Sequence, residues 1–80
     1  MRAEPIRELL LAQPFRPFTL VMATGERLEA HHREFFLCPP RARTAVLVDR
    51  AGRMHILDLA HVAKLEPQDA ALAEPPEEPA

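Results

Sequence analysis

A β-hairpin near the start of the chain is the feature that most limits how this sequence can fold. In "FRPFTLVMATGERLEAH", apolar and polar side chains alternate on both sides of the Thr24-Gly25 pair. A period of two is typical of a strand with one buried face, and Thr-Gly suits a tight turn. We therefore predict two antiparallel strands with one inward set of side chains. That set is Phe18, Leu20, Met22, Leu28 and Ala30.

A short helix is predicted before this hairpin. In "EPIRELLLAQP", Pro5 lies near the start, strong helix formers follow, and Pro14 ends the run. A helix of about two and a half turns is too short to be stable alone. We therefore expect it to pack Ile6, Leu9 and Leu10 against the rest of the fold.

A second hairpin follows the first. The second strand is predicted to continue through Phe35 and Phe36 as far as "CPPRART", where two prolines exclude a central strand and indicate a loop. In "TAVLVDRAGRMHILDL", we predict strands over residues 44–48 and 53–59 with a turn over 49–52.

The last apolar segment allows two structures. In residues 58–66, Asp58 could cap a helix carrying Leu59, Val62 and Leu65, but the same residues suit a turn followed by a short strand. We favour turn plus strand because Pro67 ends the run early. Residues 68–80 are rich in Pro and Glu without an apolar period, which predicts a disordered acidic tail after one domain of residues 1–67.

These elements predict a mainly β fold: a short N-terminal helix followed by five antiparallel strands that close into a small barrel. The order resembles the Sm-like fold, one of the SH3-like barrels. The resemblance covers residues 5–67 and rests on "PFTLVMATGERLEA", which is similar to the first Sm motif, and "HILDLAHVAKLEP", which is similar to the second. The start "PIRELLLAQPFRPFTLVMATG" also resembles a family of small bacterial proteins of unknown role.

The Sm-like resemblance implies RNA binding only where the residues of that site are present. RNA-binding members resemble one another in an Asp and an Asn after the second strand, and the bacterial RNA chaperone has a Lys-His pair between the last two strands. This chain has "EFFLCPP", without Asn, at the first place and "DLAH", without Lys, at the second.

Size and charge narrow the classes of function. A chain of 80 residues is one small domain that buries only about 60% of its unfolded surface, so self-association would help it. A single cysteine excludes an internal disulfide, and no segment suits a signal peptide or membrane span, so we expect a cytoplasmic protein. Residues 1–65 hold ten basic and seven acidic side chains, a net charge of +3, and the last 15 residues add five acids and no base.

Residues with reactive or metal-binding side chains match no known pattern. The candidate zinc ligands are His31, His32, Cys38, His55 and His61. Their spacing fits no zinc-finger pattern, and His31 and His32 would point to opposite faces of a regular strand. Cys38 follows an apolar run, as a small buried side chain does. We therefore predict no metal, no cofactor and no enzymatic activity.

Two kinds of partner remain. Arg41 and Arg43 flank the proline loop and, with His61, are the candidate nucleic-acid contacts. Phe35 and Phe36 cannot both face one core from a strand, so one of them is a candidate for an interface. We expect a non-enzymatic homo-oligomeric or protein-interaction module, with an Sm-like nucleic-acid-binding protein as the alternative.

Overall fold

The computed structural model describes residues 1–68 and is mainly β with one short N-terminal helix, as predicted. The helix is α1 (Ala3–Leu10), and two single-turn 3-10 helices cover Arg33–Phe35 and Leu59–His61. The strands are β1 (Phe18–Met22), β2 (Arg27–Ala30), β3 (Phe36–Leu37), β4 (Thr44–Val48), β5 (Met54–Asp58) and β6 (Val62–Pro67). Apart from Gln68, the predicted disordered tail lies outside the described residues.

The strands form two antiparallel sheets. The first sheet has the order β2-β1-β6 and the second has the order β3-β4-β5. Within residues 1–68 no strand of one sheet pairs with a strand of the other. The prediction of five strands closed into one barrel is therefore wrong, because residues 1–68 form six strands in two separate sheets. The antiparallel strands and the helix before them are confirmed.

The first hairpin buries four of the five side chains that were predicted to face inward. Phe18 pairs with Ala30 and Leu20 with Leu28, and all four side chains are buried. The turn contains Gly25 at a φ of +94°, a conformation that glycine adopts without a steric penalty. Met22, the fifth predicted inward residue, is only half-buried.

The second strand is interrupted, contrary to the prediction that it continues through the phenylalanines. β2 ends at Ala30, and the 3-10 helix follows before β3 begins at Phe36. The Arg33 guanidinium holds this segment against the end of α1: its Nε donates to the Leu10 carbonyl at 2.6 Å. A cation at the carboxyl end of a helix satisfies carbonyls that have no partner within the helix. The interruption turns Phe36 into the core, where it is 6% exposed, and leaves Phe35 42% exposed.

The C-terminal segment is a turn followed by a strand, so the helical alternative is wrong. The Asp58 carboxylate accepts a hydrogen bond from the Ala60 N–H at 3.0 Å and caps the 3-10 helix. β6 then pairs with β1, where Leu65 lies opposite Leu20. At the end of β6, the Gln68 N–H donates to the Pro17 carbonyl at 3.0 Å.

The core lies between the two sheets and α1. The helix buries Ala3, Ile6 and Leu10, and Arg7 ties it to the end of β3 by donating from Nη1 to the Cys38 carbonyl at 2.7 Å. No helix of residues 1–68 has the length and apolar character needed to span a lipid bilayer. The buried side chains are Ala3, Ile6, Leu10, Phe18, Leu20, Leu28, Ala30, Phe36, Cys38, Ala45, Leu47, Leu57, Leu59 and Val62.

Removing a leucine side chain from this core should destabilise the protein strongly. Leu20 is fully buried, so Leu20→Ala is expected to lower the free energy of unfolding by about 2–5 kcal/mol in urea denaturation. Leu11→Ala is the matched control, because Leu11 is 58% exposed and its truncation should change that free energy by less than about 0.5 kcal/mol. Equal losses in the two variants would contradict the described core.

Candidate protein-interaction surface

The outward side of the second sheet is apolar in two of its three rows of side chains, and the third row is Thr44 with Asp58. Three large side chains on it are mostly exposed: Leu37 at 63%, Met54 at 64% and Ile56 at 70%. Val46 and Val48 lie between them and are half-buried. We call these five residues, Leu37, Val46, Val48, Met54 and Ile56, the apolar sheet face.

Strand register places these side chains next to one another. Leu37 pairs with Val46, and Val46 pairs with Ile56, so the three form one row across the sheet. Val48 pairs with Met54 in the next row on the same side. Directly opposed side chains in an antiparallel sheet lie about 5 Å apart, so the two rows form one continuous patch.

The outward side of the first sheet is charged instead. Thr19 pairs there with Glu29 on β2 and with Glu66 on β6. Glu66 forms ion pairs with Arg27 and, at 3.1 Å, with Lys64. The hydrogen bonds from Arg27 and then Lys64 lower the pKa of Glu66. This face is therefore covered by paired charges that water solvates well.

Glu29 extends the charged network toward the second hairpin turn. It accepts a hydrogen bond from Arg50 Nε at 2.8 Å and another from Gln68 Nε2 at 3.0 Å. The Arg50 hydrogen bond is the main reason why the pKa of Glu29 is lowered. The two outward faces of this small protein thus differ sharply in polarity.

The size of the apolar sheet face sets it apart from scattered exposed side chains. Antiparallel sheets that face water usually carry polar residues on that side. Five adjacent apolar residues expose on the order of 400 Å², which is in the range of the largest patch on a typical monomer, and such patches are often functional. The polarity and size of this face favour contact with another macromolecule.

An aromatic cluster borders this face at Val48. Phe35 stacks on His31 with ring centroids 5.1 Å apart, and the His32 ring meets it edge-on at 5.9 Å. The His31 Nε2 lies 3.1 Å from the Val48 carbonyl oxygen, a hydrogen bond in which the ring donates. Both histidines follow the end of β2 and contact Phe35, so the expectation that they point to opposite faces of a strand is wrong.

The two phenylalanines predicted as interface candidates separate. Phe35 lies on the surface, whereas Phe36 belongs to the core and packs against Phe18 with ring centroids 6.1 Å apart. Phe36 is therefore covered by its own chain, and of the two candidates Phe35 is the one that stays available for an interface.

The remaining candidates for metal binding or reactivity lie apart. Within residues 1–68, no three His, Cys, Asp or Glu side chains are grouped so that they could hold a metal ion. The Cys38 thiol is buried in the core, and burial raises its pKa, which keeps it protonated at neutral pH. Its position matches the predicted small buried side chain.

Asp49 organises the turn between β4 and β5. Its Oδ1 accepts hydrogen bonds from the N–H groups of Ala51 and Arg53, both at 2.9 Å. Its Oδ2 lies 2.9 Å from the His55 Nε2. The His55 hydrogen bond, followed by the backbone donors, lowers the pKa of Asp49 to about 2. The Asp49 carboxylate therefore has a structural role in this turn.

The predicted nucleic-acid contacts lie on two different segments of the chain. Arg41 has a φ of +60° in the loop between β3 and β4 and is exposed. Arg43, in the same loop, lines an open depression with Arg2. His61 lines a second depression with Glu26, and Asp58 lines both depressions. The two arginines therefore share one loop, whereas His61 belongs to the 3-10 helix Leu59–His61.

Sequence analysis missed the apolar sheet face, although a signal for it was present. "TAVLV" is apolar at both parities, with Ala45 and Leu47 alternating with Val46 and Val48. "HILDL" likewise places Ile56 next to Leu57. A strand that is apolar on both sides indicates burial on both sides, and the described residues 1–68 cover only one.

Comparisons of this chain with protein-family models, curated proteins and solved structures found no match. Its function is therefore inferred from the residues and their arrangement.

Replacing Asp49 with asparagine tests whether the charge of this carboxylate stabilises the fold. Because the pKa of Asp49 falls from its ordinary 3.8 to about 2, the carboxylate stabilises the fold above this range, and the contribution is lost as the pH falls from about 4 to 2. Asp49→Asn should lower the melting temperature at neutral pH, and the gap to wild type should narrow over that interval.

Asp58→Asn is the control for this titration, because an asparagine oxygen can still accept the Ala60 hydrogen bond that caps the 3-10 helix. Melting curves followed by circular dichroism would measure both variants. If the difference in melting temperature between wild type and Asp49→Asn stays constant down to pH values below about 2, the stabilising role of the Asp49 charge is contradicted.

Proposed function

We propose that this protein is a non-enzymatic protein-interaction module that binds through its apolar sheet face. The observation that carries the proposal is the contrast between the two sheets: the outward face of one has paired charges, and the outward face of the other has Leu37, Met54 and Ile56 exposed. A partner that covers these side chains removes them from water.

The expected energetics show what a partner of this face would have to supply. At about 25 cal/mol per Å², covering roughly 400 Å² of apolar surface yields about 10 kcal/mol before the cost of association is subtracted. That cost is about 4–15 kcal/mol, so a partner must add contacts at the rim, and binding will be reversible. A domain of this size also has little stability in reserve, so association would stabilise its fold.

We propose that the fold itself is an open relative of the SH3-like small barrels. A helix precedes the strands, β6 returns to pair with β1, and the 3-10 helix at Arg33–Phe35 divides what would be one bent strand into β2 and β3. Small barrels of this kind serve many functions, so the fold supports an interaction role without specifying the partner.

Site-specific photocrosslinking would test the interaction role. A photoreactive benzophenone side chain at position 56 should form adducts with protein in cells that express the chain, because Ile56 is the most exposed residue of the face. The same side chain at Leu11, which is exposed outside the strands, is the matched control. Equal adduct formation at both positions, or none at position 56, would contradict the proposal.

Nucleic-acid binding is the second candidate, and the two loop arginines favour it. Within residues 1–68 the side chains of Arg41 and Arg43 form no ion pair, and Arg2 lines the same depression as Arg43. Other arginines are already engaged: Arg27 and Arg50 pair with glutamates. The cationic surface left for phosphate groups is therefore small.

Electrophoretic mobility shifts at low salt would test this second candidate. If the loop binds phosphates, single-stranded RNA or DNA should be retarded, and the Arg41→Ala/Arg43→Ala variant should lose affinity by about tenfold with a weaker dependence on salt. Arg53→Ala, which removes one positive charge next to the turn between β4 and β5, is the control. Absence of any shift would remove this candidate.

A further inference from the structure

We infer that the partner on the apolar sheet face is a second copy of this chain, packed face to face about a two-fold axis that runs along β4. This inference rests on the proposed function, because it names the occupant of the same face.

The central row of the face is self-complementary. Val46 lies in the middle strand, with Leu37 on one side and Ile56 on the other, and both flanking side chains protrude more than the valine. A two-fold axis along β4 places Val46 against the partner's Val46. The same rotation places Leu37 against the partner's Ile56, and the contact repeats on the other side. Each subunit then uses all three strands of its sheet, as a symmetric interface requires.

The charges at one end of the sheet complement each other in this arrangement. Asp58 ends β5 on one side of β4, and Arg41 and Arg43 lie in the β3–β4 loop on the other side of the same end. Rotation about β4 exchanges the two sides and brings Asp58 over the loop that carries the partner's Arg41 and the partner's Arg43. Opposite charges that meet at an interface rim favour the correct partner and orientation.

The opposite end of the sheet repeats this complementarity. Arg53 precedes β5, and Glu34 lies in the 3-10 helix that precedes β3. The same rotation brings Arg53 toward the partner's Glu34. A two-fold axis across the strands would instead place Asp58 over the partner's Met54, which buries a carboxylate against an apolar side chain. The distribution of charge therefore selects the axis along β4.

The area predicts a weak dimer. Two faces of roughly 400 Å² each remove about 800 Å² of apolar surface from water, and the rim raises the total toward about 1,000 Å², the lower limit for a specific interface. Interfaces of this size are typical of reversible association. Monomer and dimer should therefore exchange with concentration in the micromolar range.

Sedimentation velocity with charge variants tests both the face and the axis. Leu37→Glu and Ile56→Lys each place a charge against an apolar side chain and should weaken dimerisation at least about tenfold. The double variant Leu37→Glu/Ile56→Lys brings glutamate against the partner's lysine twice. It should dimerise at least about fivefold more tightly than either single variant, and high salt should remove this gain.

Leu11→Glu is the matched control and should dimerise like the wild type. All substituted side chains are mostly exposed, so circular dichroism should show an unchanged fold. A dimer that Leu37→Glu and Ile56→Lys do not weaken would overturn the inference. A double variant that is no tighter than the single variants would overturn the axis along β4.

Chemical crosslinking at the axis provides a second measurement. Val46→Cys places a thiol beside its symmetry mate, and stacked sheets about 10 Å apart suit a short bifunctional maleimide. The native Cys38 is buried and should react little. Val46→Cys is expected to form covalent dimers, whereas Leu11→Cys is not. Equal crosslinking of both variants would contradict the two-fold arrangement.

The two proposals can fail separately. A wild-type chain that stays monomeric, yet binds an apolar dye that Ile56→Lys no longer binds, would overturn the second copy and leave the face available to another protein. A wild-type monomer that binds no such dye would overturn both the dimer and the proposed interaction surface.

Discussion

The contact between Phe18 and Phe36 joins the two halves of this protein. Within residues 1–68 no strand of one sheet pairs with a strand of the other, so packing between their inward side chains holds the sheets face to face. The Arg50–Glu29 ion pair and the hydrogen bond from His31 to the Val48 carbonyl also link the two halves. The two rings lie 6.1 Å apart between centroids, and Phe15 adds a further contact to Phe18 at 6.3 Å. Aromatic pairs at this separation bury a large area and are stabilised further by their tilted geometry.

The direction of Phe36 determines what the rest of the second sheet presents to water. Because Phe36 points inward, Leu37 must point outward, and the register then aligns Val46 and Ile56 with it. The same alternation on the first sheet exposes charged residues that pair with one another, including Arg27 and Glu66. The first sheet thus exposes charges that water solvates well, whereas the second sheet exposes apolar side chains that water solvates poorly. The proposed function rests on that difference.

Local chemistry in the sequence predicts much of this fold. Alternation predicts the strands of both hairpins, and Pro67, which leaves too few residues for a helix, predicts the turn and the final strand. The interruption after Ala30 was not predictable in this way, because it depends on distant contacts such as the Arg33 hydrogen bond to the Leu10 carbonyl. The run "TAVLV" is apolar on both sides of its strand, but alternation does not show which side residues 1–68 leave exposed.

Amide chemical shifts measured by NMR over a dilution series would test the central claim most directly. If the apolar sheet face is covered by a second copy, the shifts of Leu37, Val46 and Ile56 should change with concentration and follow one binding curve. The amides of Thr19 and Lys64, on the charged face of the first sheet, should stay constant. Concentration-dependent shifts confined to the first sheet, or none at any residue, would contradict the account.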